Sequence, residues 1–309
     1  METIKALRIP IGDWVEAIVD FILINFQPLL DAIAAAIGFV SESFENTLLW
    51  IHPLILTALL VLLSLWRVGW RFAIFAAVSL FVIMGMNLWQ ETVSTMALVV
   101  AASFVALILG FPVGIAMAKS DTVEAVVRPI LDFMQTMPPF VYLIPAAMFF
   151  GLGKVPGTIA TVIFAMPPSV RLTNLGIRQV SHENVEAGLA FGCTDRQLLM
   201  KVQLPLALPS IMAGVNQTIM LALSMVVIAS MIGAGGLGNT VLTGIQRLNI
   251  GLGFEGGLGV VIVAIMLDRI TQSFGHIGQG ESLFRRLMRT LRGHPAAGEE
   301  KGEEHARTT

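Results

Sequence analysis

The 309-residue chain is 55% hydrophobic and only 13% charged, with a mean hydropathy of +0.80. Soluble domains carry about a quarter charged residues, so this composition excludes a soluble globule; several apolar runs reach the roughly 20 residues that span a bilayer as a helix. The net charge of −2 argues for no nucleic-acid partner, and a single cysteine, Cys193, excludes an internal disulfide.

In chain order, residues 1–46 carry seven acids against two bases, Lys5 and Arg8. Asp13, Glu16, Asp20, Gln27 and Asp31 recur near helical spacing, with Trp14, Ile18, Phe21, Ile22 and Leu29 opposite them. The pattern predicts an amphipathic helix lying along the membrane surface or on the body of the protein, bent or interrupted at Pro28. No charged n-region precedes an apolar core, so no cleaved signal is expected.

Seven spanning segments are predicted next, near 48–66, 71–89, 92–118, 136–152, 155–175, 208–232 and 256–274. The first two form a block over 47–90, and the remaining five form a core over 91–275. Pro138, Pro139 and Pro145 break the fourth segment, and Pro167 and Pro168 lie in the fifth. Such breaks survive at membrane depth only when buried in protein or lining a cavity. Gly233, Gly235, Gly236 and Gly238 predict a loop at an outer mouth, and GLGFEGGLG (251–259) a turn leading into the last segment. A basic tail, 276–309, closes the chain and is expected to be disordered.

Charge asymmetry orients this arrangement. Arg67 and Arg71, Lys119 and Arg128, Arg171, Arg178, Arg196 and Lys201, and the tail arginines 285, 286, 289 and 292 all fall on one side. The other side holds Lys5, Arg8, Lys154 and Arg247. The N-terminus is therefore expected outside, with the tail inside.

One polar interval stands apart: EAGLAFGCTDRQLLMKVQLP, Glu186 to Pro205. Asp195, Arg196, Gln197 and Lys201 keep it out of lipid, and apolar blocks on both sides hold it at the membrane surface. It reads as a short helix, a turn at Gly192 that uses positive φ, and a second helix stopped by Pro205. Glu186, Ala187, Gly188, Gly192, Val202, Leu204 and Pro205 resemble the E-A-A, three residues, G, nine residues, I, one residue, L-P pattern of ABC importer permeases. Gly188 stands where the pattern has its second Ala and Val202 where it has Ile. VRPILDFMQTMPPFVYLIP (127–145), the stretch 201–238 and VIVAIMLDRITQ (261–272) resemble the permease subunit of the glycine betaine/proline importer.

That resemblance implies an all-α polytopic membrane protein with a type I, MetI-like, five-helix core, two extra spanning helices and the amphipathic N-terminal helix. It implies a coupling hairpin that docks on a separate ATP-binding subunit through Glu186, Ala187, Gly188, Gly192, Leu204 and Pro205. Bare residues at Ala187 and Gly188 would let the partner approach. It further implies a second copy of the chain, a separate extracytoplasmic substrate-binding protein and a bacterial inner membrane. ATP and Mg would be bound by the partner, leaving no cofactor in this chain.

The residues themselves carry no enzyme signature. No GxxxxGK[ST], GxSxG or HExxH occurs, and no Cys/His cluster has metal spacing. No catalytic or metal-ligating residue is assigned. The segment interiors are nearly charge-free, unlike those of ion-coupled pumps, which counts against a secondary transporter or channel. Asp268 and Arg269 are expected near the end of the last segment, snorkelling or paired. Asn216 and Gln217 are candidates for the pathway, with interhelical packing the commoner use of such residues. Choline, carnitine, histidine and proline remain alternative solutes.

Overall fold

The computed structural model describes residues 10–275, and every regular element among them is helical. The tail 276–309 and the bases Lys5 and Arg8 lie outside the described residues. The helices are α1 (Ile11–Trp50), α2 (Pro53–Arg67), α3 (Trp70–Gly85), α4 (Trp89–Lys119), α5 (Asp121–Thr136), α6 (Pro139–Phe150), α7 (Lys154–Arg178), α8 (His182–Ala190), α9 (Asp195–Leu198), α10 (Leu204–Ser230), α11 (Gly236–Gln246) and α12 (Ile250–Gly275).

α1 runs unbroken through Pro28 for 40 residues, so the expected interruption is absent, and the division expected at 46 falls inside the helix. Proline forfeits one backbone bond, but the alanine-rich stretch beyond it carries the helix on. Its length, about 60 Å at 1.5 Å per residue, and its composition suffice to cross a membrane. Burial is concentrated in the last third, at Gly38, Ser41 and Glu45; Val19 is also buried earlier on, whereas Trp14, Ile18, Phe21 and Ile24 are exposed. α2 and α3 have 15 and 16 residues, about 22–24 Å each, shorter than the expected segments and than a bilayer core of about 30 Å.

The centre of the molecule is α7, packed between α4 and α10. Small residues set these approaches. A Cβ on Gly114 of α4 would lie 2.7 Å from the Val170 carbonyl oxygen, and one on Gly176 would lie 2.8 Å from Ser210 Cβ on α10. Gly214 answers from α10 against Pro168 and Ser169. Pro167 and Pro168 are buried in this interface, and α7 continues through them. The expected break in the fourth segment is real: α5 and α6 meet at Met137–Pro138 with a bend of 101°. The Tyr142 hydroxyl donates to the Met134 carbonyl across that corner, while Pro145 sits inside α6 without breaking it. Counting the bent pair as one, up to six helices among the described residues are long and apolar enough to cross a membrane.

Contacts sort the helix ends into two groups. At one end, Arg67 donates to the Ser273 carbonyl (3.0 Å) and Arg178 donates to the Met117 carbonyl (2.8 Å). This joins the α2–α3 turn to α12 and the end of α7 to the end of α4. At the other end, Lys154 pairs with Glu45 (2.5 Å), Ser94 donates to Glu45, the Gly153 amide donates to the Ile232 carbonyl (2.8 Å), and the Leu237 amide donates to Thr95 Oγ1.

Gly238 and the stretch 251–259 differ from expectation. Gly238 lies within α11, where a Cβ would meet the Val226 carbonyl oxygen at 2.4 Å. Residues 251–259 form the opening turns of α12 rather than a turn before it. Lateral packing explains both: a Cβ on Gly244 would lie 2.5 Å from Gly253, so α11 and α12 meet backbone to backbone. Gly238, Gly244 and Gly256 serve close approach between neighbouring helices, whereas Gly233, Gly235 and Gly236, at φ 88°, 80° and 69°, make the expected turn between α10 and α11.

Candidate functional site

The polar interval folds as a hairpin between α7 and α10. α8 ends at Ala190, and Gly192 follows at φ 77°. The Gly192 amide donates to the Leu189 carbonyl (2.9 Å) and the Cys193 amide to the Gly188 carbonyl (3.1 Å), the paired bonds of a Schellman stop. Thr194 restarts the chain: its hydroxyl accepts from the Gln197 amide while Gln197 Oε1 accepts from the Thr194 amide, a capping box. Thr194-x-x-Gln197 has the spacing of this motif in the sequence alone.

Beyond α9 the helix does not stop at Pro205. Leu199–Gln203 forms a π-helical turn whose closing bond runs from the Leu204 amide to the Leu199 carbonyl, and α10 follows directly. The reason is geometric. In an α-helix the ring of Pro205 would meet the carbonyl of Lys201; the wider turn shifts the bonding by one residue just before the proline. Pro205 therefore sits in the first turn of a long helix, where its missing donor costs little.

The wider turn also sends adjacent leucines to different bodies. Leu199 is buried with Ile177, Ala207, Ile211 and Phe111, whereas Leu198 packs on Gly188, whose added Cβ would lie 2.7 Å from Leu198 Cδ1. Gly188 is thus buried inside the hairpin, and its small size serves the hairpin's own closure rather than an external surface. Ala187 is exposed, as are Leu204's neighbours Pro205 and Leu206; Leu204 itself is half-buried. Glu186 is exposed and faces His182 one turn earlier at 3.4 Å. The hairpin also presents apolar groups to solvent: Phe191 is 90% exposed, with Leu189 and Met200 over half exposed. The hairpin thus carries both charged side chains and an aromatic tip on its exposed surface.

The two pathway candidates part company. Asn216 on α10 donates to Asp268 on α12 (3.1 Å) and accepts from Thr271 (2.9 Å), while Gln272 also donates to Asp268 (2.7 Å). This is an interhelical network, and it partners Asp268 as expected. Gln217 is exposed. Among the described residues, no cluster of three or more His, Cys, Asp or Glu is placed to hold a metal ion.

Comparison with known proteins fits this geometry. Residues 106–274 match the family described as binding-protein-dependent transport system inner membrane component. The chain is 50% identical over 277 residues to the glycine betaine/carnitine transport permease protein GbuB of Listeria monocytogenes, covering 88% of this chain and 98% of that protein. It is 47% identical to the glycine betaine/proline betaine permease protein ProW of Escherichia coli, covering 86% and 75%. It is 46% identical to the glycine betaine permease protein OpuAB of Bacillus subtilis, covering 86% and 94%. Among solved structures, an inward-facing conformation of the MetNI methionine ABC transporter superposes with a TM-score of 0.54 at 22% identity, covering 62% of this chain and 94% of that one. The likeness shows a shared MetI-like fold, with α1 to α3 added to it. On the family match and these relatives, the chain belongs to the binding-protein-dependent transport system inner membrane components, the multi-pass permease subunits of ABC importers.

Proposed function

We propose that this chain is the membrane-spanning subunit of an ATP-driven importer for glycine betaine and similar methylated ammonium zwitterions. The observation that carries the reading is the exposed hairpin with Glu186, Ala187 and Phe191 on its surface, in a chain half-identical to a permease named for glycine betaine and carnitine. Two copies of the chain pair with two ATP-binding subunits and receive solute from an extracytoplasmic binding protein. Closure of the ATP-binding subunits moves the two hairpins together and switches the cavity between inward- and outward-facing states. Hydrolysis of ATP occurs in the partner.

In this arrangement 91–275 is the importer domain, α2 and α3 an added helical pair, the segment through α1 an N-terminal attachment and 276–309 a cytoplasmic tail. The hairpin lies on the cytoplasmic side, supported by the basic residues at that end, and the Glu45–Lys154 pair lies outside. The four carboxylates Asp13, Glu16, Asp20 and Asp31 are costly in hydrocarbon, which supports an N-terminus outside and the first part of α1 at the outer surface.

The test is uptake of labelled glycine betaine in cells lacking their own betaine transporters. The chain is expressed with its ATP-binding and binding-protein partners, with and without Glu186→Lys. ATP-dependent uptake that fails in the variant supports the reading. Uptake that proceeds without the ATP-binding partner overturns it in favour of a secondary transporter. Carnitine is the second solute to offer, because the relative in Listeria is named for both; choline, histidine and proline follow.

A further inference from the structure

Arg178 is the last residue of α7, separated from α8 only by Gln179, Val180 and Ser181. Its guanidinium is engaged through Nε and Nη2. Nε donates to Asn174 Oδ1 (3.0 Å); Nη2 donates to the Met117 carbonyl (2.8 Å) and pairs with Asp121 (2.7 Å) and Glu124 (3.0 Å). Asn174, itself buried, donates to the other oxygen of Glu124 (3.1 Å). A single side chain therefore ties the end of α7 to the end of α4 and the first turn of α5.

The tie is part of a ladder. Arg171, Asn174 and Arg178 recur at helical spacing on one face of α7, and Arg171 pairs with Asp132 farther along α5. The pairing of 178 with 121 and 124, and of 171 with 132, lays the two helices antiparallel. The rungs lie about 10 Å apart along α7 and about 12–16 Å apart along α5 at 1.5 Å per residue. At its far end α5 is held to α6 by the Tyr142 hydroxyl on the Met134 carbonyl. α5 is thus fixed to the base of the hairpin at one end and to the broken span at the other.

We propose that Arg178 is a positioning residue for coupling. It fixes the base of the 182–198 hairpin to α5, so that displacement of the docked hairpin moves α5 and with it α6. This rests on the docking role proposed for the hairpin. The alternative is that Arg178 only caps the end of α4 and contributes to stability. Lysine cannot replace it, since one ammonium cannot reach Asn174, which Nε serves, and the Met117, Asp121 and Glu124 oxygens around Nη2 at the same time.

The experiment uses the assembled importer with its ATP-binding and binding-protein partners in liposomes, reading solute moved per ATP hydrolysed. A second readout is backbone hydrogen exchange over 182–198. Arg178→Ala and Arg178→Lys are expected to lower the transport-to-hydrolysis ratio about fivefold, within the range by which residues between coupled sites alter coupling. Subunit assembly should be retained and exchange in the hairpin faster. Arg178→Glu with Glu124→Arg should restore the ratio relative to Arg178→Glu alone. An assembled Arg178→Ala importer with a wild-type ratio and unchanged hairpin exchange overturns the proposal. If Arg178→Ala fails to assemble, Glu124→Gln, which keeps the guanidinium partnered by Met117 and Asp121, is read by the same criteria. If the unmodified complex shows no ATP-driven uptake, the proposed function falls, and the hairpin exchange alone decides whether Arg178 positions the hairpin.

Discussion

Glycine does opposite work in the two regions that matter most here. In the packed centre, Gly114 is an ordinary helical residue with no space around it: an added Cβ would lie 2.7 Å from a backbone oxygen on α7. In the hairpin, Gly192 has open space on all sides but a φ of 77°. The first excludes a side chain by contact, the second by backbone conformation. The centre is therefore sensitive to volume, while the hairpin is sensitive to turn geometry and surface chemistry. Stability concentrates in the first, and the docking role proposed above lies in the second.

The largest effect should come from the centre. Gly114→Val must push the α4 and α7 backbones apart, an overpacking that costs about 3 kcal/mol. The expected outcome is loss of monodisperse protein on detergent size-exclusion, with no assembled complex to assay. If Gly114→Val is recovered at wild-type yield and melting temperature, the contrast between the regions is wrong.

Gly192→Val should act differently. A β-branched residue in the left-handed region costs about 1–2 kcal/mol, enough to reshape a short hairpin but not to unfold the helices that hold it. The protein should insert and purify normally while solute uptake falls to background. Gly192→Asn, which tolerates positive φ, should retain most uptake, whereas Gly114→Asn should fail like Gly114→Val. Equal behaviour of asparagine at the two sites would break the comparison.

How far the sequence spoke follows the same division. The hairpin is readable because its signals are local: Gly192 follows Glu186 by six residues, and Asp195, Arg196, Gln197 and Lys201 keep the interval polar. The position of the spans in the centre was readable from hydropathy. The errors arose where local rules met a distant partner or an unusual turn. Pro205 reads as a stop only if the preceding turn is α-helical; the π turn at Leu199–Gln203 absorbs it. Gly251–Gly259 reads as a turn only if Gly244 is unseen, and Gly244 is a neighbour across α11, not along α12. Gly188 read as a bare surface because Leu198, which covers it, lies ten residues on.

A smaller effect is expected between these extremes, at Asn216. Asn216→Ala removes one donor from Asp268 and one acceptor from Thr271, leaving Gln272 on the carboxylate. Interhelical polar pairs of this kind contribute about 0.6 kcal/mol, rarely above about 1.7. A modest fall in thermal midpoint with near-normal uptake would mark Asn216 as packing between α10 and α12. Loss of uptake with an unchanged midpoint would instead return it to the solute pathway.

The smallest effect should be at Gly188, and it sharpens the comparison most because the site combines features of both regions. Gly188→Ala creates the E-A-A sequence of the family pattern. The position is buried, as in the centre, and its added Cβ would lie 2.7 Å from a neighbour, as at Gly114. The neighbour, however, is Leu198 Cδ1, the far end of a flexible side chain in a hairpin open to solvent, not a backbone oxygen. Rotation of Leu198 relieves the contact, and alanine recovers up to about 1 kcal/mol of helix propensity over glycine. The two terms oppose each other, so the thermal midpoint and coupled uptake should both stay close to wild type. If Gly188→Ala instead behaves like Gly114→Val, the hairpin is packed as rigidly as the centre, and exposure would not be what separates the two regions.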